Sequence, residues 1–192
     1  MKWVLKGSVV LKMKSMMKSM RMSKNEIPVD IVPLFEDIVQ TYKGDECEEK
    51  FMIAMEEHLS KEQRFYLYEQ NGSCRGTGYD KERKAFALEH ADKPLGERLR
   101  LFTNKFRRTA VLNEDNTITV TFACNHGYYK HAPKGTFQFP KSIETYFERC
   151  AGGRLYEYQK ALGIKLKIKS VDVSPLIENM INPVVFTFEI VN

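Results

Sequence analysis

The amino-acid sequence predicts an α+β fold in which N-terminal helices are followed by a small antiparallel sheet, with one helix inserted between a hairpin and a C-terminal strand pair. Three observations predict it. Apolar residues recur at three- and four-residue spacing from about residue 30 to residue 106, the period drops to two at Thr109, and after one more helical stretch a second period-two pair closes the chain.

The first helix carries Ile31, Leu34, Phe35, Ile38, Val39 and Tyr42 on one face, with Asp30 expected as its cap, Pro33 tolerated in the first turn and Gly44 at its end. A second helix, from about Glu46, buries Phe51, Met52, Met55 and Leu59. Ser60 with Gln63 makes a capping-box pattern for a third, which carries Phe65, Tyr66 and Leu67 and stops at Asn71-Gly72. The segment Gly72 to Gly78 reads as a helix-ending loop. No strand precedes it and no Gly-Lys-Ser/Thr follows, so it does not match a phosphate-cradling motif.

Helices are expected near Asp80 to His90 and near Pro94 to Phe106, the second built on Leu95, Leu99, Leu101 and Phe102. Thr109 to Leu112, the turn at Asn113-Glu114-Asp115-Asn116, and Thr117 to Ala123 then form a hairpin, with Ile118, Val120 and Phe122 on one face. A helix from about Ser142 to Leu162 follows, and Gly152-Gly153 predicts an interruption in its middle. The strand Lys165 to Val173 alternates Leu166, Ile168 and Val171 with lysines, and Lys165, Lys167 and Lys169 suit a solvated or edge-protecting face. A connection from Pro175 to Asn182 leads to the last strand, Val184 to Val191.

Domain organisation follows from charge. Residues 1–25 hold seven basic groups and no acid, leaving 23 basic against 25 acidic groups in the rest, so the +5 of the whole chain belongs to the arm and the body is near −2. The expectation is a basic, Met-rich arm over residues 1–25 and a single α+β domain over 26–192. Three readings of the arm stand open: a disordered arm or upstream sequence before a true start at Met20 or Met22, a basic amphipathic surface helix, or a targeting peptide. A body without a basic surplus gives no basis for nucleic-acid binding. No stretch approaches the ~20 apolar residues of a membrane span. Four cysteines in 192 residues are too few for a secreted disulfide scaffold, which predicts a reducing, cytoplasmic location.

Three of those cysteines and one histidine form the candidate site. Cys124-Asn125-His126 follows a strand, Cys74 lies in a glycine-bearing loop, and Cys150 adjoins Gly152-Gly153, all at element edges where backbone can wrap around a centre. Three thiolates and an imidazole are the donor set of a tetrahedral zinc site, and an iron–sulfur centre is the alternative. Against this, buried thiols commonly act as small apolar side chains, and Cys47 is assigned to packing. An enzymatic alternative uses Cys124 or Cys150 as a nucleophile activated by His126 or His131. Tyr128, Tyr129 and His131 are candidates to line a ligand pocket. His58 and His90, near helix C-termini, are assigned to no site.

The pattern Cys124-x-His126, Cys150-Ala-Gly-Gly153, Leu155-Tyr156-Glu157-Tyr158, Ala161-Leu162-Gly163, an alternating strand and Phe188-Glu189-Ile190 resembles the vinyl-reductase-type small-molecule-binding fold. More closely, residues 30–192 resemble a set of uncharacterised prokaryotic proteins related to that fold and to amino-thiazoline-carboxylate hydrolase-like proteins. In that set cysteines tend to occupy the positions matching Cys74, Cys124, His126 and Cys150, which implies a ligand or metal pocket between the helical half and the sheet. The chain departs from the pattern in two places: Phe186 stands where such domains usually carry a cysteine, and His126 where relatives tend to have a second one. The implied metal site is therefore Cys3His. The functions this leaves are a ligand-binding protein with a Cys/His metal centre, a hydrolase or thiol-dependent enzyme using the same pocket, and a non-catalytic small-molecule sensor module.

Overall fold

The change of apolar period at Thr109 divides the observed elements as it divides the sequence. The structure, a computed structural model, describes residues 15–20, 27–73, 75–123, 143–178 and 182–191. After a 3-10 turn at Val29–Ile31 come α1 (Val32–Thr41), α2 (Gly44–His58), α3 (Lys61–Asn71), α4 (Asp80–Glu89) and α5 (Leu95–Phe106). The hairpin β1 (Thr109–Leu112) and β2 (Thr117–Phe122) follows, then α6 (Ile143–Leu162), β3 (Lys165–Asp172), a short α7 (Ser174–Glu178) and β4 (Val184–Val191).

Local chemistry explains most boundaries. The capping box before α3 forms in full, Gln63 N–H donating to Ser60 Oγ at 3.3 Å and Ser60 N–H to Gln63 Oε1 at 2.9 Å. Asp30, by contrast, lies within the 3-10 turn and makes no capping hydrogen bond, and Pro33 occupies the first turn of α1. Gly44 does not end α1; with φ +58° it opens α2, after α1 has already stopped at Thr41. The connection expected over Pro175 to Asn182 begins with the single turn of α7.

The sheet has strand order β1-β2-β4-β3 with every neighbour antiparallel. Its covered face is built in rows: Ile118, Phe188 and Ile168 lie opposite one another, as do Val120, Phe186 and Val171. All six are buried. An irregularity between Ile168 and Ser170 lets Val171 rejoin the covered face after Ile168 although three residues separate them, because the bulge absorbs one residue. Lys165, Lys167 and Lys169 are exposed on this edge strand, and Lys169 pairs with Asp115 at 3.1 Å.

Helix α6 is the hub, touching β3, β4, α2, α3, α4 and α5. Gly152 and Gly153 do not interrupt it, because the chain there runs as one helix from Ile143 to Leu162. They serve a close crossing instead. A methyl on Gly152 would overlap the carbonyl of Tyr68 on α3, and one on Gly72 would overlap the backbone of Gly152 and Gly153. Within the stretch read as an arm, residues 15–20 are helical, with Met16 and Met20 in the core at 1% exposure each. Ser15 Oγ donates to Asn71 Oδ1 at 2.9 Å, and Asn71 Nδ2 donates to Ser19 Oγ at 2.8 Å, tying this turn to the end of α3. Among the described residues, no helix is long and apolar enough to cross a membrane.

Candidate functional site

The glycine-bearing loop after α3 is fastened to α6 at its start and to Arg83 of α4 further on. At the first end, Ser73 N–H donates to the Arg149 carbonyl at 2.9 Å, and Ser73 Oγ lies 3.8 Å from Cys150 Sγ. Cys150 is buried at 4% exposure. At the other end, the carbonyls of Arg75 and Gly76 accept from Arg83 Nη1 at 2.9 and 3.0 Å. Gly76 is left-handed with φ +55°, and a Cβ there would stand 3.1 Å from Arg83 Nη2 and 3.6 Å from Glu157 Oε1, so both conformation and space call for glycine. From Cys150 to Glu157 is seven residues of α6, a rise of roughly 10 Å.

Glu157 is the charge around which this region is organised. At 2% exposure its carboxylate cannot remain without partners. It has three: Arg83 Nη2 donates to Oε1 at 2.6 Å, Arg108 Nη2 donates to the same oxygen at 3.2 Å, and Arg154 Nη1 lies 2.7 Å from Oε2. Arg83 also contacts Asp80 at 3.3 Å, and Asp80 accepts from the Tyr156 hydroxyl, which holds that phenol above its ordinary pKa. Three guanidiniums lie against rings, Arg154 5.0 Å from the Phe122 centroid, Arg75 5.1 Å from that of Tyr156 and Arg83 5.9 Å from that of Tyr79. Phe122 ends β2, two residues before Cys124.

About two and a half turns nearer the start of α6 is a second buried carboxylate with simpler company. Glu148, at 0% exposure, accepts from Arg64 Nε at 2.8 Å and Nη2 at 2.9 Å, a bidentate pair, and Arg64 Nη1 donates to the Leu59 carbonyl at 3.0 Å. Burial pushes the Glu148 carboxyl up and Arg64 beside it pulls it down. An open cavity of about 390 Å³ lies beside this pair, lined by Glu56, Arg64, Ile143 and Glu144. Glu56 closes the start of α6 by accepting from Thr145 N–H and Oγ1 at 3.2 and 2.7 Å.

Of the residues singled out in the sequence, Cys150 stands within the described structure. Cys74, Cys124, His126, Tyr128, Tyr129 and His131 lie outside the described residues. Among the described residues, no group of three His, Cys, Asp or Glu side chains is arranged to hold a metal. Cys47 is packing, fully buried with Sγ 3.8 Å from the Ile38 carbonyl, and burial pushes its thiol up. His90 stacks edge-on against Phe86 at 4.4 Å. The arginines around Glu157 escaped the reading of the sequence. Their signal was present, since Arg154 and Glu157 share the apolar face of a helix whose other positions include Cys150, Ala151, Leu155 and Tyr158. No family model matches the chain, and no curated protein and no solved structure is significantly similar to it.

Proposed function

We propose that the chain is a ligand-binding protein with a Cys/His metal centre, zinc or iron–sulfur, in which Cys74, Cys124 and Cys150 supply thiolates and His126 the fourth donor. Tyr128, Tyr129 and His131 line the adjoining ligand pocket, and the protein works in the reducing cytoplasm, where such thiols persist. The observation that carries this reading is the 3.8 Å approach of Ser73 Oγ to Cys150 Sγ, because Ser73 is bonded directly to Cys74. Arg154, one helical turn beyond Cys150, lies over Phe122, two residues before Cys124. The neighbours of three candidate ligands, far apart in sequence, thus meet on one stretch of α6. The resemblance of residues 30–192 to the set of uncharacterised prokaryotic proteins points to the same four positions.

Bound there, the metal would supply cross-linking of loop, strand and helix, worth on the order of 10 kcal/mol to folding for a structural zinc. Elemental analysis of protein purified without a histidine tag tests the reading. About one equivalent of zinc, or iron with matching sulfide, is expected, together with a sharp fall in melting temperature on chelation. Less than about a tenth of an equivalent of any metal would reject the centre.

A further inference from the structure

The two edges of the sheet are built differently. β3 exposes Lys165, Lys167 and Lys169, whereas β1, Thr109 to Leu112, carries no charge at all. Lysines along an edge strand repel a second copy of the same edge, and a neutral edge does not. Among the described residues β1 pairs with β2 alone.

The register fixes which backbone groups of β1 stay open. Asn113 N–H donates to the Thr117 carbonyl at 2.8 Å, so the alternation makes Val111 with Thr119 and Thr109 with Thr121 the hydrogen-bonded pairs. On the other side of β2, Ile190 N–H donates to the Asn116 carbonyl at 3.4 Å, which turns Ile118 toward β4 and agrees with that alternation. The N–H and C=O groups of Ala110 and Leu112 therefore point away from β2, and none of them has a backbone partner among the described residues. Between them stands Val111, 60% exposed. Charge is arranged end to end: Arg107 and Arg108 precede the strand, and Glu114 and Asp115 lie in the turn after it. Arg107, Glu114 and Asp115 are exposed.

We propose that β1 is a self-association edge, on which a second copy of the chain pairs antiparallel across a two-fold axis at Val111. That symmetry sets Ala110 against the partner's Leu112 and Leu112 against the partner's Ala110, so every open backbone group on the edge is bonded. Val111 then meets the partner's Val111 in a non-hydrogen-bonded pair, the closer kind, with Cβ atoms about 4.5–5.5 Å apart. The same symmetry carries the basic entry of each strand, Arg107 and Arg108, toward the acidic turn of the other, Glu114 and Asp115. An in-register parallel pairing would bring base to base and acid to acid. Charge complementarity along the strand thus selects an antiparallel copy of this chain as the occupant of the edge.

The test is sedimentation equilibrium of the full chain at concentrations up to about 500 μM. Because the paired edge is shorter than a standard interface, a reversible monomer–dimer equilibrium with a dissociation constant of roughly 1–100 μM is expected. Val111→Lys changes an exposed side chain and puts two like charges on the axis, so it should weaken the dimer about tenfold or more. Glu114→Lys should weaken it about threefold or more, and adding Arg107→Glu to that variant should restore it. Leu88→Lys, at an exposed leucine of α4, is the control and should leave the equilibrium unchanged. A wild-type chain that stays monomeric throughout overturns the proposal by itself, even where a variant fails to fold, and leaves the edge to another segment or partner. A dimer that ignores both Val111→Lys and Glu114→Lys, or one that Leu88→Lys abolishes, overturns it as well.

Discussion

Two carboxylates on one helix, nine residues apart, are buried to the same degree and treated differently. Glu148 meets one guanidinium in a bidentate pair, charge for charge, while Glu157 meets three. The comparison separates two uses of buried charge. A balanced pair ties α3 to α6; a shared carboxylate gathers guanidiniums from α4, from the residue before β1 and from α6 itself onto one point.

The largest effects should come from breaking each centre. Glu148→Gln leaves Arg64 buried without its counter-ion and is expected to cost about 3–5 kcal/mol in chemical denaturation. Replacing the whole pair, Arg64→Met with Glu148→Leu, should return stability to within about 1 kcal/mol of wild type, since both charges leave together. The parallel exchange at the other centre, Arg83→Met with Glu157→Leu, should remain about 3 kcal/mol or more below wild type, because Arg108 and Arg154 are left without their shared carboxylate. Equal recovery by the two double variants would erase the distinction.

Next in size is the crossing that sets both carboxylates in place. Gly152→Ala forces a methyl into the Tyr68 carbonyl of α3, a contact between two backbones that cannot turn aside, and should lower stability by about 3 kcal/mol or more. Gly78→Ala, in the loop after α3, is the control, with open space around its Cβ position, and should change stability by less than about 1 kcal/mol. A tolerant Gly152 would mean that α3 and α6 can separate without loss.

Much of this frame was legible in the sequence, and the failures are instructive. The capping box at Ser60 and Gln63, the hairpin around Asn113 to Asn116 and the strands at Lys165 and Val184 follow from local pattern and appear where expected. Gly152-Gly153 misled because glycine's low helix propensity points to a break, whereas the real constraint is a second helix touching it, which one chain segment cannot reveal. Asp30 misled similarly, as a residue able to cap that a 3-10 turn took instead. In the candidate site, Cys150 was singled out by the sequence and is buried beside Ser73. The arginines around Glu157 were not, because Arg83, Arg108 and Arg154 come from two helices and the edge of a strand, and only folding brings them to Glu157.

The smallest expected effect concerns a third carboxylate, which the contrast leaves aside. Glu69 Oε1 accepts from the Ile168 N–H at 2.7 Å, and burial holds its pKa above the ordinary value despite that bond. The folded state therefore takes up the proton first. Its contribution to stability is complete below the ordinary carboxylate range and is lost as pH rises through the raised value. Glu69→Gln keeps the acceptor and removes the charge. It should be more stable than wild type at pH 7 by under about 1 kcal/mol, since the group is partly solvated, and should match it below about pH 4.

The most direct measurement of the contrast between the two carboxylates is the unfolding free energy of the two double variants, taken side by side in urea. Arg64→Met with Glu148→Leu should lie within about 1 kcal/mol of wild type, and Arg83→Met with Glu157→Leu about 3 kcal/mol or more below it, because Arg108 and Arg154 converge on the carboxylate that is lost. Equal unfolding free energies for the two would contradict the account and leave Glu157 no different from Glu148.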